Sequence, residues 1–127
     1  MYVDAPAAVD FLCRAFGFVE TGRFSQGGKL IYSEMALDGE TLFAIGSSHE
    51  GTGSPRDLGG VSVQLFCYVD DVDRHYEQAR AAGATIVSPP EDRFWGDRSY
   101  DALDCEGHYW RFRKIVDNVN LPDSRPK

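Results

Sequence analysis

Several residues are of types that carry out chemistry, and their spacing limits what that chemistry could be. Cys105 and His108 lie close enough in sequence to suggest a nucleophile with its base, and Asp70 and Asp71 could suggest a carboxylate pair. A cysteine and a histidine in one tight turn have no buried base or oxyanion donors, however, and an acidic pair before an apolar stripe is typical of helix capping. Neither pattern predicts catalysis.

Two alternating stretches predict the binding of a flat small molecule instead. Side chains on a strand alternate between faces, so Gln64, Phe66 and Tyr68 share one face if Leu65 and Cys67 pack inward. Rings stack on such aromatic side chains, and an arginine on the same face would offer a forked donor to a carboxylate or phenolate oxygen. This face therefore suits an aromatic or partly anionic ligand.

The last alternating stretch supplies that arginine, because Tyr109, Arg111 and Arg113 share a face if Trp110 and Phe112 pack inward. Tyr32 and Glu34 join them from the first half of the chain if Ser33 and Met35 face the helices, and Trp95 covers the ligand from a predicted loop at 88–98. The predicted ligand-binding residues are Gln64, Phe66, Tyr68, Trp95, Arg98, Tyr109, Arg111, Tyr32 and Glu34.

A structural role is the alternative for the same residues. The tyrosines would then complete a half-buried sheet, and Arg111 would pair with Glu34 or another acid of this acidic chain. Trp95 would cap the edge of the core or contact a second subunit.

Composition excludes several classes of protein. The chain has 127 residues, enough for a single domain with a packed core, and a net charge of −7, which disfavours nucleic acid as a partner. It contains no apolar run long enough to span a membrane and no signal-peptide pattern at Met1 to Pro6. Its three cysteines form no C-x-x-C pair and fit reduced thiols. We therefore expect a cytoplasmic protein without a membrane partner.

An internal repeat defines the architecture. The segment that begins at Tyr2 recurs at Tyr68, an offset of 68 − 2 = 66, and eleven identities fall in clusters at that offset. Each half predicts one helix, capped by Asp4 in the first and by Asp70 in the second, followed by three strands. The predicted strands are 19–25, 30–37, 41–46, 61–69, 85–87, 98–103 and 108–114.

The predicted organisation is a single domain over 1–127. Its first module covers 1–46, a glycine-rich connector follows at 47–60, the second module covers 61–116, and a loose polar tail covers 117–127.

The sequences of several segments resemble those of the glyoxalase, bleomycin-resistance and extradiol-dioxygenase superfamily, whose members are also called vicinal oxygen chelate proteins. These segments are Val3 to Ala8, Leu12 to Phe18, Asp70 to Asp73, Phe94 to Arg98 and Asp104 to Trp110. The resemblance implies an α+β fold of two tandem βαβββ modules that enclose a ligand cleft, commonly in a homodimer, with the first strand of this chain truncated. Whether the modules pair within one chain or between two stays open.

The resemblance also implies a divalent metal, held by the first and last strands of each module. In the second module these positions correspond to Gln64 and Arg111. In the first module, one would precede Met1 and the other falls on Phe43, Ala44 or Ile45. An arginine cannot lose its proton and would repel a cation, so we predict that no metal cofactor is needed.

Two functional hypotheses follow. The first is a metal-independent small-molecule binding protein that resembles the antibiotic-sequestering members of the superfamily. The second is a metal-dependent lyase, isomerase or dioxygenase of the same superfamily.

Overall fold

The computed structural model describes residues 1–116, apart from the side chain at position 41. The tail predicted at 117–127 lies outside the described residues. The elements, in chain order, are α1 (Ala5–Phe16), β1 (Val19–Gln26), β2 (Lys29–Leu37), β3 (Glu40–Ile45), α2 (Pro55–Leu58), β4 (Gln64–Tyr68), α3 (Val72–Ala81), β5 (Thr85–Asp92), β6 (Asp97–Leu103) and β7 (Tyr109–Ile115).

The two halves repeat one arrangement, which confirms the predicted α+β fold of βαβββ modules. The second half runs β4, α3, β5, β6, β7, and its strands form one sheet in the order β4-β7-β6-β5. The first half runs α1, β1, β2, β3 and forms a sheet in that strand order. In the described part of the chain, the place of its first strand is taken by a single parallel bridge between Tyr2 and Ser47.

The helices begin and end at residues suited to those positions. The Asp4 carboxylate accepts a hydrogen bond from the Ala7 amide, and Gly17 ends α1 in the left-handed region at φ 78°. In the second half, Asp71 caps α3, because its carboxylate accepts from the Arg74 amide. The prediction that Asp70 is the cap is wrong by one residue, since the caps are offset by 71 − 4 = 67.

One strand is longer than its sequence predicted. The expected loop at 88–98 is mostly strand, because β5 continues to Asp92 and leaves only a tight turn before β6. Pro89 and Pro90 are tolerated because β5 is at the edge of its sheet and its pairing with β6 is irregular between Ser88 and Glu91.

The core lies between the two sheets. Phe16 of α1 contacts Trp110 and Phe112 on the second sheet, and Phe43 of the first sheet also contacts Trp110. His75 of α3 donates a hydrogen bond from Nε2 to the Phe16 carbonyl oxygen at 2.7 Å. The two halves of one chain therefore meet through their helix-covered faces.

No helix within residues 1–116 is both long enough and apolar enough to cross a membrane. The predicted connector at 47–60 contains the short helix α2, which Ser54 caps through the Asp57 amide.

Candidate functional site

One face of the second sheet is directed away from the core, and we call it the open face. Trp110 and Phe112 point toward α1, so Tyr109, Arg111 and Arg113 point the opposite way. Residues opposite each other on paired strands share a face. The open face therefore consists of Gln64, Phe66 and Tyr68 on β4, Tyr109, Arg111 and Arg113 on β7, and Asp97, Ser99 and Asp101 on β6.

Arg111 is held by a carboxylate of the neighbouring strand. Its Nε and one terminal nitrogen lie 2.7 and 2.9 Å from the two oxygens of Asp101, and Tyr109 donates its hydroxyl to the same carboxylate. Burial raises the pKa of Asp101, but the hydrogen bonds from Arg111 and Tyr109 outweigh it and hold the pKa below its usual value. Both side chains of the pair are thus charged at neutral pH.

Arg113 forms a second, looser pair with Asp97. Its Nε lies 2.8 Å from an Asp97 carboxylate oxygen, and the Asp97 side chain is fully buried. The two groups are close but misaligned, so neither Asp97 oxygen has a hydrogen bond among the described residues. Asp97 therefore holds its partner by charge alone.

Aromatic rings cover both guanidinium groups. The Phe66 ring centroid lies 5.2 Å from the guanidinium carbon of Arg111 and 5.8 Å from that of Arg113. Tyr68 lies 5.3 Å from Arg113, and Trp95 lies 6.0 Å from Arg111. Phe66 is 50% exposed and Tyr68 is 64% exposed, so much of their surface still faces solvent.

Arg98 does not lie on the open face. It follows Asp97 on β6 and so points to the opposite face, where it binds both oxygens of Asp73 on α3 at 2.8 Å and contacts Asp92 at 3.0 Å. Arg98 thus links β6 to the first turn of α3 on the helix side of the sheet.

Tyr32 and Glu34 lie on the first sheet. Their neighbour Met35 pairs with Phe43, which points into the core, so Tyr32 and Glu34 point outward. Tyr32 stacks on Phe24, with ring centroids 5.8 Å apart, and both rings are more than 40% exposed. Each sheet therefore has an outward face with exposed aromatic rings, and the two faces lie on opposite sides of the chain.

The residues at the positions where the family resemblance implies metal ligands do not fit a divalent metal. Gln64 is exposed, Arg111 is bound to Asp101, and the first-half counterpart of Arg111 is Ala44, because Phe43 and Ile45 match Trp110 and Phe112 in pointing inward. Within residues 1–116, no three histidine, cysteine or acidic side chains cluster as metal ligands.

The turn with Cys105 and His108 is built around a buried carboxylate. The His108 ring nitrogen lies 3.3 Å from Asp104, which also accepts hydrogen bonds from Tyr2 and Trp110. Burial raises the pKa of the Cys105 thiol to about 12, so it is protonated at neutral pH and a poor nucleophile. The side chains of this turn therefore stabilise its conformation through Asp104.

The surface near the chain start has a cavity of about 410 Å³, lined by Val3, Asp4, Ser54, Arg56, Asp57 and Glu106. Its buried acid, Glu106, accepts hydrogen bonds from the Val3 and Asp4 amides at 2.7 and 2.8 Å. Glu106 therefore fixes the start of α1 and is not free to bind a ligand.

Sequence reasoning missed Asp97 and Asp101, the two acids that hold the arginines. The register between β6 and β7 brings Asp101 opposite Arg111. The tight turn between these strands is the signal that could have revealed this pairing, since a short hairpin turn fixes the register.

The fold agrees with the comparisons with known proteins. A family model described as the Glyoxalase/Bleomycin resistance protein/Dioxygenase superfamily matches residues 1–112, and the chain belongs to this superfamily. An uncharacterised Mycobacterium tuberculosis protein, Rv0887c, is 37% identical over 125 residues, which span 94% of this chain and 74% of that protein.

Solved structures support the same assignment. TioX from Micromonospora sp. ML1 is 33% identical with a TM-score of 0.72, and the match covers 94% of this chain and 93% of that one. A family enzyme from Burkholderia phytofirmans PsJN, 22% identical with a TM-score of 0.70 over 91% of this chain and 94% of that one, shares the fold.

Proposed function

We propose that this protein binds an aromatic or partly anionic small molecule on the open face, without a metal. The observation that carries the proposal is the environment of Arg111. This arginine stands at a predicted metal position, is bound by both oxygens of Asp101 and lies beneath the Phe66 ring. Such a site offers stacking surfaces and fixed polar groups. Its two buried carboxylates, Asp101 and Asp97, are each paired with an arginine, and no group of three metal-ligating side chains occurs within residues 1–116.

We further propose that two copies complete the site as a cytoplasmic homodimer. In one chain the open face is a surface: Phe43 of the first sheet contacts Trp110 on the opposite, core-facing side of the second sheet, and Phe66 and Tyr68 are at least half exposed within the described residues. The outward face of the first sheet, with Phe24, Tyr32 and Leu42 each more than 40% exposed, is a surface of matching apolar character. A second copy that brings this face over Phe66 and Tyr68 would form an enclosed cleft and place its Tyr32 and Glu34 opposite Arg111.

Native mass spectrometry combined with metal analysis tests both proposals. We expect a dimer without stoichiometric metal, and Phe24→Ala should increase the monomer fraction. Stoichiometric zinc, nickel, manganese or iron, removed by chelation together with an activity, would instead support the metal-dependent lyase, isomerase or dioxygenase. A monomer at micromolar concentration would reject the dimer.

Ligand binding is tested separately with 2-naphthol as the probe, by equilibrium dialysis. We expect Phe66→Ala and Tyr68→Ala each to weaken binding about fivefold or more, in line with stacking energies of about 1 kcal/mol. Leu58→Ala is the matched control, because Leu58 is 69% exposed and lies on α2, outside the strands that form the open face. Equal binding by all four proteins would contradict the proposed site.

A further inference from the structure

The charges on the open face decide which of the two proposed ligand characters, aromatic or anionic, the face selects. Three arginines carry positive charge there: Arg111, Arg113 and Arg93, which reaches Ser99 from the turn after β5 with its Nε at 3.0 Å. Free guanidinium groups would favour an anion, since they bind carboxylates with two parallel hydrogen bonds.

None of the three guanidinium groups is without an acidic partner. Arg111 is bound by both oxygens of Asp101, and Arg113 lies 2.8 Å from Asp97. Arg93 contacts Glu91 at 3.3 Å. Three positive charges thus face three carboxylates, so the residues of this face within 1–116 carry no excess positive charge.

The two closest pairs are also shielded from solvent. The side chains of Arg111 and Arg113 are 20% and 18% exposed, while those of Asp101 and Asp97 are 4% and 0% exposed. An anion that approached Arg111 would have to displace Asp101 and leave that carboxylate buried and unpaired, which is costly. The net charge of −7 on the chain opposes anions further.

What the face presents to solvent is aromatic surface. Phe66 and Tyr68 are at least half exposed, and Phe94 in the turn beside Trp95 is 74% exposed. The guanidinium carbons of Arg111 and Arg113 lie 5.2 to 6.0 Å from the ring centroids of Phe66, Tyr68 and Trp95, so these rings surround the paired charges.

We infer that the open face selects an uncharged planar aromatic ligand over an anionic one, and that Asp97 and Asp101 set this specificity by neutralising Arg113 and Arg111. This inference rests on the proposed function and narrows its ligand class. It assigns a role in specificity to two acids that touch the arginines and not the ligand.

The experiment compares two probes with the same ring system, 2-naphthol, which is neutral at pH 7, and 2-naphthalenesulfonate, which is an anion. With the full-length protein in equilibrium dialysis, we expect 2-naphthol to bind at least about tenfold more tightly. Asp101→Asn releases Arg111 to form a charge-assisted hydrogen bond with the sulfonate, so it should strengthen sulfonate binding about tenfold, which corresponds to about 1.4 kcal/mol. Binding of 2-naphthol should change less than about twofold.

Tyr109→Phe is the matched control, because it removes a hydroxyl from Asp101 but keeps the pair with Arg111. Tighter binding of the sulfonate by the unmodified protein would overturn the inference while leaving the proposed function in place. Binding of neither probe would count against the proposed function itself. The comparison of probes on the unmodified protein decides the preference even if Asp101→Asn does not fold.

Discussion

Asp104 is a buried carboxylate whose charge is compensated from several directions. Its side chain accepts hydrogen bonds from Tyr2 at 2.5 Å and Trp110 at 3.0 Å, and from the amides of Glu106 and His108. Burial raises the pKa of Asp104, but the hydrogen bonds from His108 and Tyr2 hold it below its usual value. This one residue thus fixes the turn before β7 to the start of the chain, across 102 positions of sequence.

Removing the hydroxyl of Tyr2 tests how much that link contributes. We expect Tyr2→Phe to lower the free energy of unfolding by about 1.5–3 kcal/mol, because it deletes a hydrogen bond to a charged, buried acceptor. Urea denaturation at pH 7 measures the loss. Tyr32→Phe, at a ring that is 42% exposed, is the control and should stay within about 0.5 kcal/mol of the unmodified protein. Equal effects of the two substitutions would show that Asp104 does not depend on Tyr2.

His75 links the two halves of the chain through hydrogen bonds that require a neutral imidazole. Its Nε2 proton is donated to the Phe16 carbonyl, so its Nδ1 is left to accept the Tyr100 hydroxyl at 2.6 Å. Burial lowers the pKa of His75, and the hydrogen bond to the Phe16 carbonyl opposes this only in part. The neutral imidazole is therefore the form that the core accommodates.

This lowered pKa predicts a stability that falls in mild acid. The unfolded chain takes up a proton on His75 near its ordinary pKa of 6.5, while the folded chain resists it. The stability that neutral His75 contributes to the folded state is therefore complete above pH 6.5. It is lost as the pH falls toward the lowered pKa of His75 in the folded state. We expect the urea midpoint of the unmodified protein to fall more between pH 7.5 and 5.5 than that of His75→Gln. Parallel pH profiles for the two proteins would contradict this.

Sequence alone separated the two faces of β4 and β7 correctly, because alternation needs only local information. It could not provide the partner of Arg111, since Asp101 reaches it only through the pairing of two strands. Arg98 is predicted as a ligand-binding residue from its motif and not from strand alternation. It follows Asp97 directly on β6, so it points to the other face of the sheet and binds Asp73.

At the scale of the elements, the start of α3 depends on one of two adjacent acids. Asp71 accepts the Arg74 amide, whereas Asp70 precedes the cap. We expect Asp71→Ala to lower the free energy of unfolding by about 1 kcal/mol, because it leaves a helix N-terminal amide without its acceptor. Asp70→Ala is the matched control and should cost less than about 0.5 kcal/mol. Urea denaturation of the two variants distinguishes them, and a larger loss for Asp70→Ala would assign the cap to that residue instead.

Two elements differed from their sequence patterns for identifiable reasons. The adjacent prolines at positions 89 and 90 predict a loop, yet an edge strand does not require every amide to pair. The N-cap of α3 is Asp71 and not Asp70, because the offset between the two N-caps is 71 − 4 = 67. The glycines that follow the two helices, Gly17 and Gly83, are separated by 83 − 17 = 66. The identical residues of the two halves therefore predicted where each helix lies but not the residue at which it begins.

At the scale of the whole molecule, the repeat predicted two similar halves and left their relative placement open. Nothing local in the sequence indicates that Phe43 of the first sheet contacts Trp110 of the second. That contact directs the open face outward, so Tyr32 and Arg111 can share a cleft only between two copies. The candidate site was therefore predictable as a set of strand faces, but its completion depends on tertiary packing.

A shared core also predicts that the two halves unfold together. Phe16 is fully buried and contacts Trp110 and Phe112 on the second sheet, so neither half keeps its core when the other opens. At one fixed protein concentration, we expect thermal unfolding followed by far-ultraviolet circular dichroism and by tryptophan fluorescence to coincide. Phe16→Ala should lower the free energy of unfolding by about 3–5 kcal/mol and shift both signals equally, because the cavity weakens both halves. Two separated transitions, with fluorescence changing before the helical signal, would show instead that each half folds on its own core.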